Sequence, residues 1–265
     1  MFVSRLSLCA ACCAALFAAP ASAGLTGLWE FENPASLTTA TVGSNLVLVG
    51  SDAAVAGSGS GVDLGATAVG VGSHYRVYHG AAPNGGGDGT YVNKFSILWD
   101  VSFPQSSAGS WRSFFQTNTG NTNDGDLFIR PSGPQGAIGV FDLGYSTNTL
   151  AADTWYRVVL TVENGVSSKV YVNGVEWIDG GAEPIDGRFS LDTITSSSGN
   201  PFFLALGDND GDDALMNLSN LAVWDSALSA NEVIALGGAG RTIGVPEPAA
   251  LVLAAIGLLA LRRRV

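Results

Sequence analysis

The chain has 265 residues, 35 of them glycine, and only 13% of the total are charged, a composition that suits an all-β body with many turns rather than a helical one. Residues 24–244 carry 22 acidic and 8 basic side chains with no basic cluster, which argues against nucleic acid or anionic lipid as a partner. All three cysteines, Cys9, Cys12 and Cys13, lie near the N-terminus, so the remainder offers no disulfide, thiolate metal site or cysteine nucleophile.

In chain order, the first element is a secretory signal. Arg5 supplies positive charge, residues 6–19 are apolar apart from Ser7, and Ala21-Ser22-Ala23 places small residues where a signal peptidase cuts. Residues 1–23 are therefore read as a signal peptide, and Gly24 as the start of the mature chain. Next come short runs with strand character at 25–32, 46–49, 75–78, 95–103, 111–116, 127–130, 155–163, 169–172, 175–178, 201–207 and 217–224. The clearest is 95–103, whose odd positions (Phe95, Ile97, Trp99, Val101, Phe103) are all large and apolar, the period of a half-buried strand. Asn173-Gly174 between two such runs predicts a tight hairpin, because both residues accept positive φ. Residues 56–72 and 81–89 are rich enough in Gly, Ala and Ser to be loops or weak edge strands. Ser229-Ala230-Asn231-Glu232 is a capping box before Val233, Ile234 and Leu236, with Gly237 placed to end one short helix. Residues 238–244 read as a linker. The end of the chain has Pro246-Glu247-Pro248, an apolar run of 13 residues at 249–261, and Arg262-Arg263-Arg264. As a helix that run is roughly 20 Å long against a hydrocarbon core of about 30 Å, so it anchors marginally, with the arginines on the cytoplasmic side.

This tail resembles the PEP-CTERM sorting signal. The resemblance implies processing by a membrane-embedded exosortase in a Gram-negative bacterium that makes extracellular polysaccharide, with 245–265 as sorting signal and transient inner-membrane anchor. The body resembles the laminin-G-like, concanavalin A-type jelly roll in three stretches: Gly27-Leu28-Trp29-Glu30-Phe31-Glu32; residues 153–162 running into Val170-Tyr171-Val172-Asn173-Gly174; and residues 218–229 with the helix after them. The expected fold is thus an all-β, two-sheet antiparallel jelly-roll sandwich over 24–237 with one short C-terminal helix.

The fold that the resemblance implies also hosts glycosidases. Retaining hydrolysis needs two carboxyl groups about 5 Å apart. The Glu-x-Asp-x-x-Glu string of laminarinase-type jelly rolls is absent, and Glu30 and Glu32 read as the solvent side of a strand whose Trp29 and Phe31 point inward. His74 and His79 are the only histidines, five apart and so on opposite strand faces. Asp208-Asn209-Asp210-Gly211-Asp212-Asp213 gathers oxygen donors at a density that suits calcium, although it departs from the EF-hand pattern; Asn121-Thr122-Asn123-Asp124-Gly125-Asp126 is a weaker candidate. For a sugar platform, Trp177 in an exposed hairpin arm ranks first and Tyr75 and Tyr78 follow. The expectation is an exported, non-enzymatic surface or matrix protein that binds a glycan or another surface component. The alternatives are a glycan-active hydrolase or lyase and a purely structural, adhesive matrix protein.

Overall fold

The computed structural model describes residues 23–57, 65–121, 123–140, 143–209 and 211–243. The expected signal peptide up to Ser22, including Ala21, and the expected sorting tail with Pro246, Glu247, Pro248, Arg262, Arg263 and Arg264 lie outside the described residues, as does Asp210. Among the described residues no helix is long and apolar enough to cross a membrane.

The strands are β1 (Leu25–Trp29), β2 (Val47–Val49), β3 (Asp52–Ala56), β4 (Gly65–Val69), β5 (His74–Tyr78), β6 (Lys94–Ser102), β7 (Arg112–Gln116), β8 (Asp126–Ile129), β9 (Ala137–Val140), β10 (Gly144–Thr149), β11 (Tyr156–Glu163), β12 (Ser167–Val172), β13 (Val175–Gly181), β14 (Phe202–Ala205) and β15 (Met216–Trp224), followed by helix α1 (Ala230–Leu236). They form two antiparallel sheets. One runs β13-β12-β11-β6-β15-β4-β3, with β1 on the same edge of β15 as β4; the other runs β10-β9-β8-β7-β14-β5-β2. This is the jelly-roll sandwich with one short helix.

The period-2 pattern of β6 does set the core. Phe95, Ile97, Trp99 and Val101 point between the sheets, where the Trp99 ring lies 5.6 Å from Phe114 and 5.7 Å from Phe115. Each such fully buried large side chain contributes about 1.5–3 kcal/mol. Asn173 and Gly174 turn the β12–β13 hairpin with φ of 49° and 81°, as the turn chemistry requires. Ser229 and Glu232 form the expected reciprocal capping box on α1.

Three differences from the sequence reading have physical causes. The first strand stops at Trp29, because Phe31 takes φ 53° to drive its ring into the core beside Tyr75. Glu30 and Glu32 therefore do not share a strand face, and Glu30 instead accepts a hydrogen bond from Thr41. Second, β3, β9 and β10 form where no strand was expected, and β4 forms within 56–72, paired on both sides rather than as an edge strand. Their small residues are held extended by neighbouring strands rather than by their own propensity.

Third, β6 is buried on both faces. Its outward residues Ser96, Leu98 and Asp100 are covered because α1 and the segment to Ile243 lie over the outer face of the eight-stranded sheet, packing Val233, Leu228 and Ile243 on Leu98, Val159, Ala222 and Trp224. At the centre of that face Asp100 and Arg157 are both fully buried. Arg157 donates from Nε and Nη2 to the two carboxylate oxygens at 2.7 Å each, from Nη1 to the Leu236 carbonyl and from Nη2 to the Arg241 carbonyl. Removing one member of such a pair leaves a buried charge uncompensated. Arg157→Met is expected to lower stability by about 3–5 kcal/mol in urea unfolding. A loss below about 1 kcal/mol would show that the pair is not what holds this face together.

Candidate functional site

The acidic turn after β14 is built from its own hydrogen bonds. Asp208 and Asp213 are each 5% exposed. Asp208 Oδ1 accepts from the Gly211 and Asp212 amides at 2.8 and 2.9 Å, and Asp213 Oδ2 accepts from the Gly72 amide at 2.5 Å. Asn209 reaches across to the Thr119 carbonyl with its side-chain amide, which ties this turn to the 118–121 loop. Among the described residues no three His, Cys, Asp or Glu side chains gather where a metal ion could be held. One carboxylate oxygen of Asp213 is sealed without a hydrogen-bond partner. Asp208 and Asp213 thus close the loop through hydrogen bonds to backbone amides.

The three aromatic candidates separate. Tyr75 is fully buried, its hydroxyl donating to Asp52 at 2.6 Å and lying 2.8 Å from the Thr67 hydroxyl, so it is a core residue and presents no face to a ligand. Its position on β5 alternates inward with Val77; this corrects the expectation of a sugar platform there. Tyr78, half-buried, packs its ring on Phe202 at 5.4 Å on the outer side of the seven-stranded sheet.

Trp177 stands in a groove of about 630 Å³ lined by Thr147, Asn148, Thr149, Tyr156, Asn173 and Val175 with others. The groove follows from topology: β10 ends one sheet and β13 ends the other, so the two edges approach at the open side of the sandwich. The Trp177 ring is partly buried against the core. Two rings, Trp177 and Tyr156, thus border exposed hydroxyl and amide groups from β10 and the β12–β13 turn, an apolar platform with hydrogen-bonding groups at its rim. Tyr156, Thr147, Asn148 and Thr149 escaped the sequence reading as site residues. The alternating Thr147 and Thr149 were the available signal for an edge strand there.

His74 and His79 sit in different surroundings. His74 is half-buried on β5, whereas His79 is buried past its end, accepting from the Ala81 amide at Nδ1 (3.2 Å) with Nε2 2.8 Å from the Asp192 carbonyl. Those partners require the neutral tautomer with the proton on Nε2, which donates to that carbonyl.

A family model for the concanavalin A-like lectin/glucanases superfamily, Laminin_G_3, matches residues 90–234, more than half of the chain. The chain belongs to that superfamily. Among solved structures it is similar to domain 4 of AbnA, a GH43 extracellular arabinanase from Geobacillus stearothermophilus in complex with arabinotriose, at 22% identity over 81% of this chain and 98% of that one, TM-score 0.57. It is similar to Trypanosoma rangeli sialidase at 16% identity, covering 80% of this chain and 32% of that one, TM-score 0.55. It is also similar to the binding domain of Paraclostridial Mosquitocidal Protein 1, at 13% identity over 80% and 51%, TM-score 0.53. The chain therefore spans about a third and about half of the last two. At these identities the likeness is one of fold. No curated protein matches the chain by sequence.

Burial lowers the pKa of His79 below the ordinary 6.5, against an upward pull from its hydrogen bond to the Asp192 carbonyl. Burial and then Arg76 lower that of His74, against Asp213 and Asp208. A histidine lowered in this way stays neutral where the unfolded chain binds a proton. Its stability contribution is therefore intact above the unfolded pKa of about 6.5 and is lost progressively as the pH falls below it. Urea midpoints should fall on going from neutral pH into this window, and His79→Gln should flatten that fall. An unchanged pH dependence in the variant would contradict the assignment.

Proposed function

We propose that this is an exported, non-enzymatic surface or matrix protein whose sandwich binds an extracellular glycan through the groove at its open edge. The observation that carries the reading is the pairing of Trp177 and Tyr156 with exposed Thr147, Asn148, Thr149 and Asn173 in one groove. A pyranose has an apolar face that stacks on an indole and a ring of hydroxyls that take amide and hydroxyl partners. Membership of a lectin and glucanase superfamily, and the arabinotriose bound to the similar arabinanase domain, support the same reading.

Export rests on the N-terminal signal and on the Pro-Glu-Pro tail. In this proposal signal peptidase removes residues 1–23, and an exosortase acts near Pro246-Glu247-Pro248 after transient anchoring in the inner membrane of a Gram-negative bacterium. The polysaccharide made by the same cell is the expected ligand. Calcium belongs to the proposal as a cation held by the 208–213 turn.

The test is a glycan array probed with the purified protein, with and without millimolar calcium, beside Trp177→Ala. Binding should fall about tenfold or more in the variant, as for a buried aromatic anchor. Any enhancement of binding by calcium should be lost in Asp208→Ala. An array with no glycan bound by the unaltered protein contradicts the lectin reading. Glycan cleavage that survives in the purified protein would favour the hydrolase alternative.

A further inference from the structure

The described strands end in four sheet edges: β13 and β3 on one sheet, β10 and β2 on the other. An edge presents a row of backbone N–H and C=O groups that another chain's strand can take, and proteins keep it from doing so with short length, bulges or charges. Three of these edges have such devices. β10 and β13 approach each other at the open side, each has a bulged register with the strand beside it, and β13 adds Glu176 and Asp179. β2 has only three residues. β1, which shares an edge of β15 with β4, is bonded to Thr41 and Val42.

β3 has none of these devices. It runs five residues, Asp52 to Ala56, and pairs with β4 residue for residue, from Asp52 opposite Val69 to Ala56 opposite Gly65, with no shift of register. Alternate residues of such a strand turn their N–H and C=O away from the partner strand. Among the described residues no strand lies on that other side. Ala53, Ala54, Val55 and Ala56 are all exposed, and because successive side chains alternate in direction, both faces of the strand stand clear.

Charge selects what can dock there. From Leu46 to Gly57 the only charged side chain is Asp52, and its carboxylate turns inward to accept from the Tyr75 hydroxyl at 2.6 Å. A basic segment of another protein therefore finds no outward carboxylate along this strand. The body as a whole is acidic, with 22 acidic and 8 basic side chains in residues 24–244. Two such bodies repel over most of their surfaces, and an uncharged edge is where they approach with least repulsion. Symmetry supplies the register. An antiparallel pair centred on Ala54 uses all five residues: Ala54 faces its own counterpart, Ala53 faces Val55 and Asp52 faces Ala56. No like charges then meet across the axis.

We infer that β3 is a self-association edge, through which two copies of this chain pair antiparallel about a two-fold axis and join their eight-stranded sheets. A five-residue edge buries less than the roughly 1,000 Å² of a durable interface, so the dimer is weak, with a Kd on the order of 10–100 µM. β3 ends its sheet opposite β13, so pairing leaves the Trp177 groove of each copy open. The inference does not depend on what that groove binds.

The experiment is analytical ultracentrifugation of the purified protein from micromolar to millimolar concentration. It is repeated on Ala54→Lys, on Ala54→Glu and on an equimolar mixture of the two, with thermal melts confirming that each variant folds. The inference expects a reversible monomer–dimer equilibrium that strengthens with added salt, because salt screens the repulsion between two acidic bodies. Each single variant sets like charges opposite each other and should weaken the dimer at least tenfold, whereas the mixture sets Lys opposite Glu and should restore it. Ala54→Lys is the sharpest arm: it reduces the net negative charge, so it would tighten association if net charge alone governed it. A protein that stays monomeric throughout, a dimer unchanged or tighter in folded Ala54→Lys, or a mixture that remains monomeric overturns the inference. None of these outcomes bears on glycan binding, which the array reads separately.

Discussion

The Asp100–Arg157 ion pair is the constraint on which the arrangement of surfaces depends. The two residues face each other across the β6–β11 ladder, at the middle of the eight-stranded sheet and on its outer side. Neither reaches solvent, so each has lost its hydration, a penalty of several kcal/mol per ion. The arrangement survives because the partners are nearly all supplied. Asp100 also takes the Asn220 amide at 2.8 Å from β15, and Arg157 satisfies the carbonyls of Leu236 and Arg241 past the helix. One guanidinium thus joins two central strands to the helix C-terminus and to the segment beyond it. An apolar substitute could fill the volume but could not specify where that segment lies, because only directed donors select two particular carbonyls.

Closing the outer face of the eight-stranded sheet in this way leaves its β13 edge open. The same residue connects to the edge: the Arg157 amide donates to Asn173 Oδ1 at 2.9 Å, and the Asn173 amide returns to the Arg157 carbonyl at 2.8 Å. Asn173 is the left-handed first residue of the hairpin turn and also lines the Trp177 groove. At the loop end, Asn93 plays the corresponding part. It binds the Asp186 amide and carboxylate and the Ser190 hydroxyl, while Asn164 donates to both Asn93 and Ser190. The open edge and the loop end therefore both rest on strands and bridged loops with little freedom to rearrange.

How much of this was legible depended on whether a signal was local. The long strands β6, β11 and β15, the Asn173-Gly174 hairpin and the Ser229–Glu232 capping box each declare themselves within ten residues, and each is present. Strands β4 and β9 have no such signature, since Gly65, Ala66, Ala137 and Gly139 are extended only because neighbours pair with them. Trp177 was readable as a partly exposed residue because it lies in a polar hairpin arm, and it lines the groove at the open edge. Tyr75 and Tyr78 looked alike in sequence, yet alternation on β5 buries one and turns the other outward.

Chemical-shift mapping of the isotope-labelled protein, titrated with a short neutral oligosaccharide, tests the account most directly. Perturbed amides should cluster around Trp177, Asn173 and Asn148, with α1 and the outer face beneath it silent. The largest shifts falling on α1 or on the strands it covers, or no shifts at saturating sugar, would contradict it.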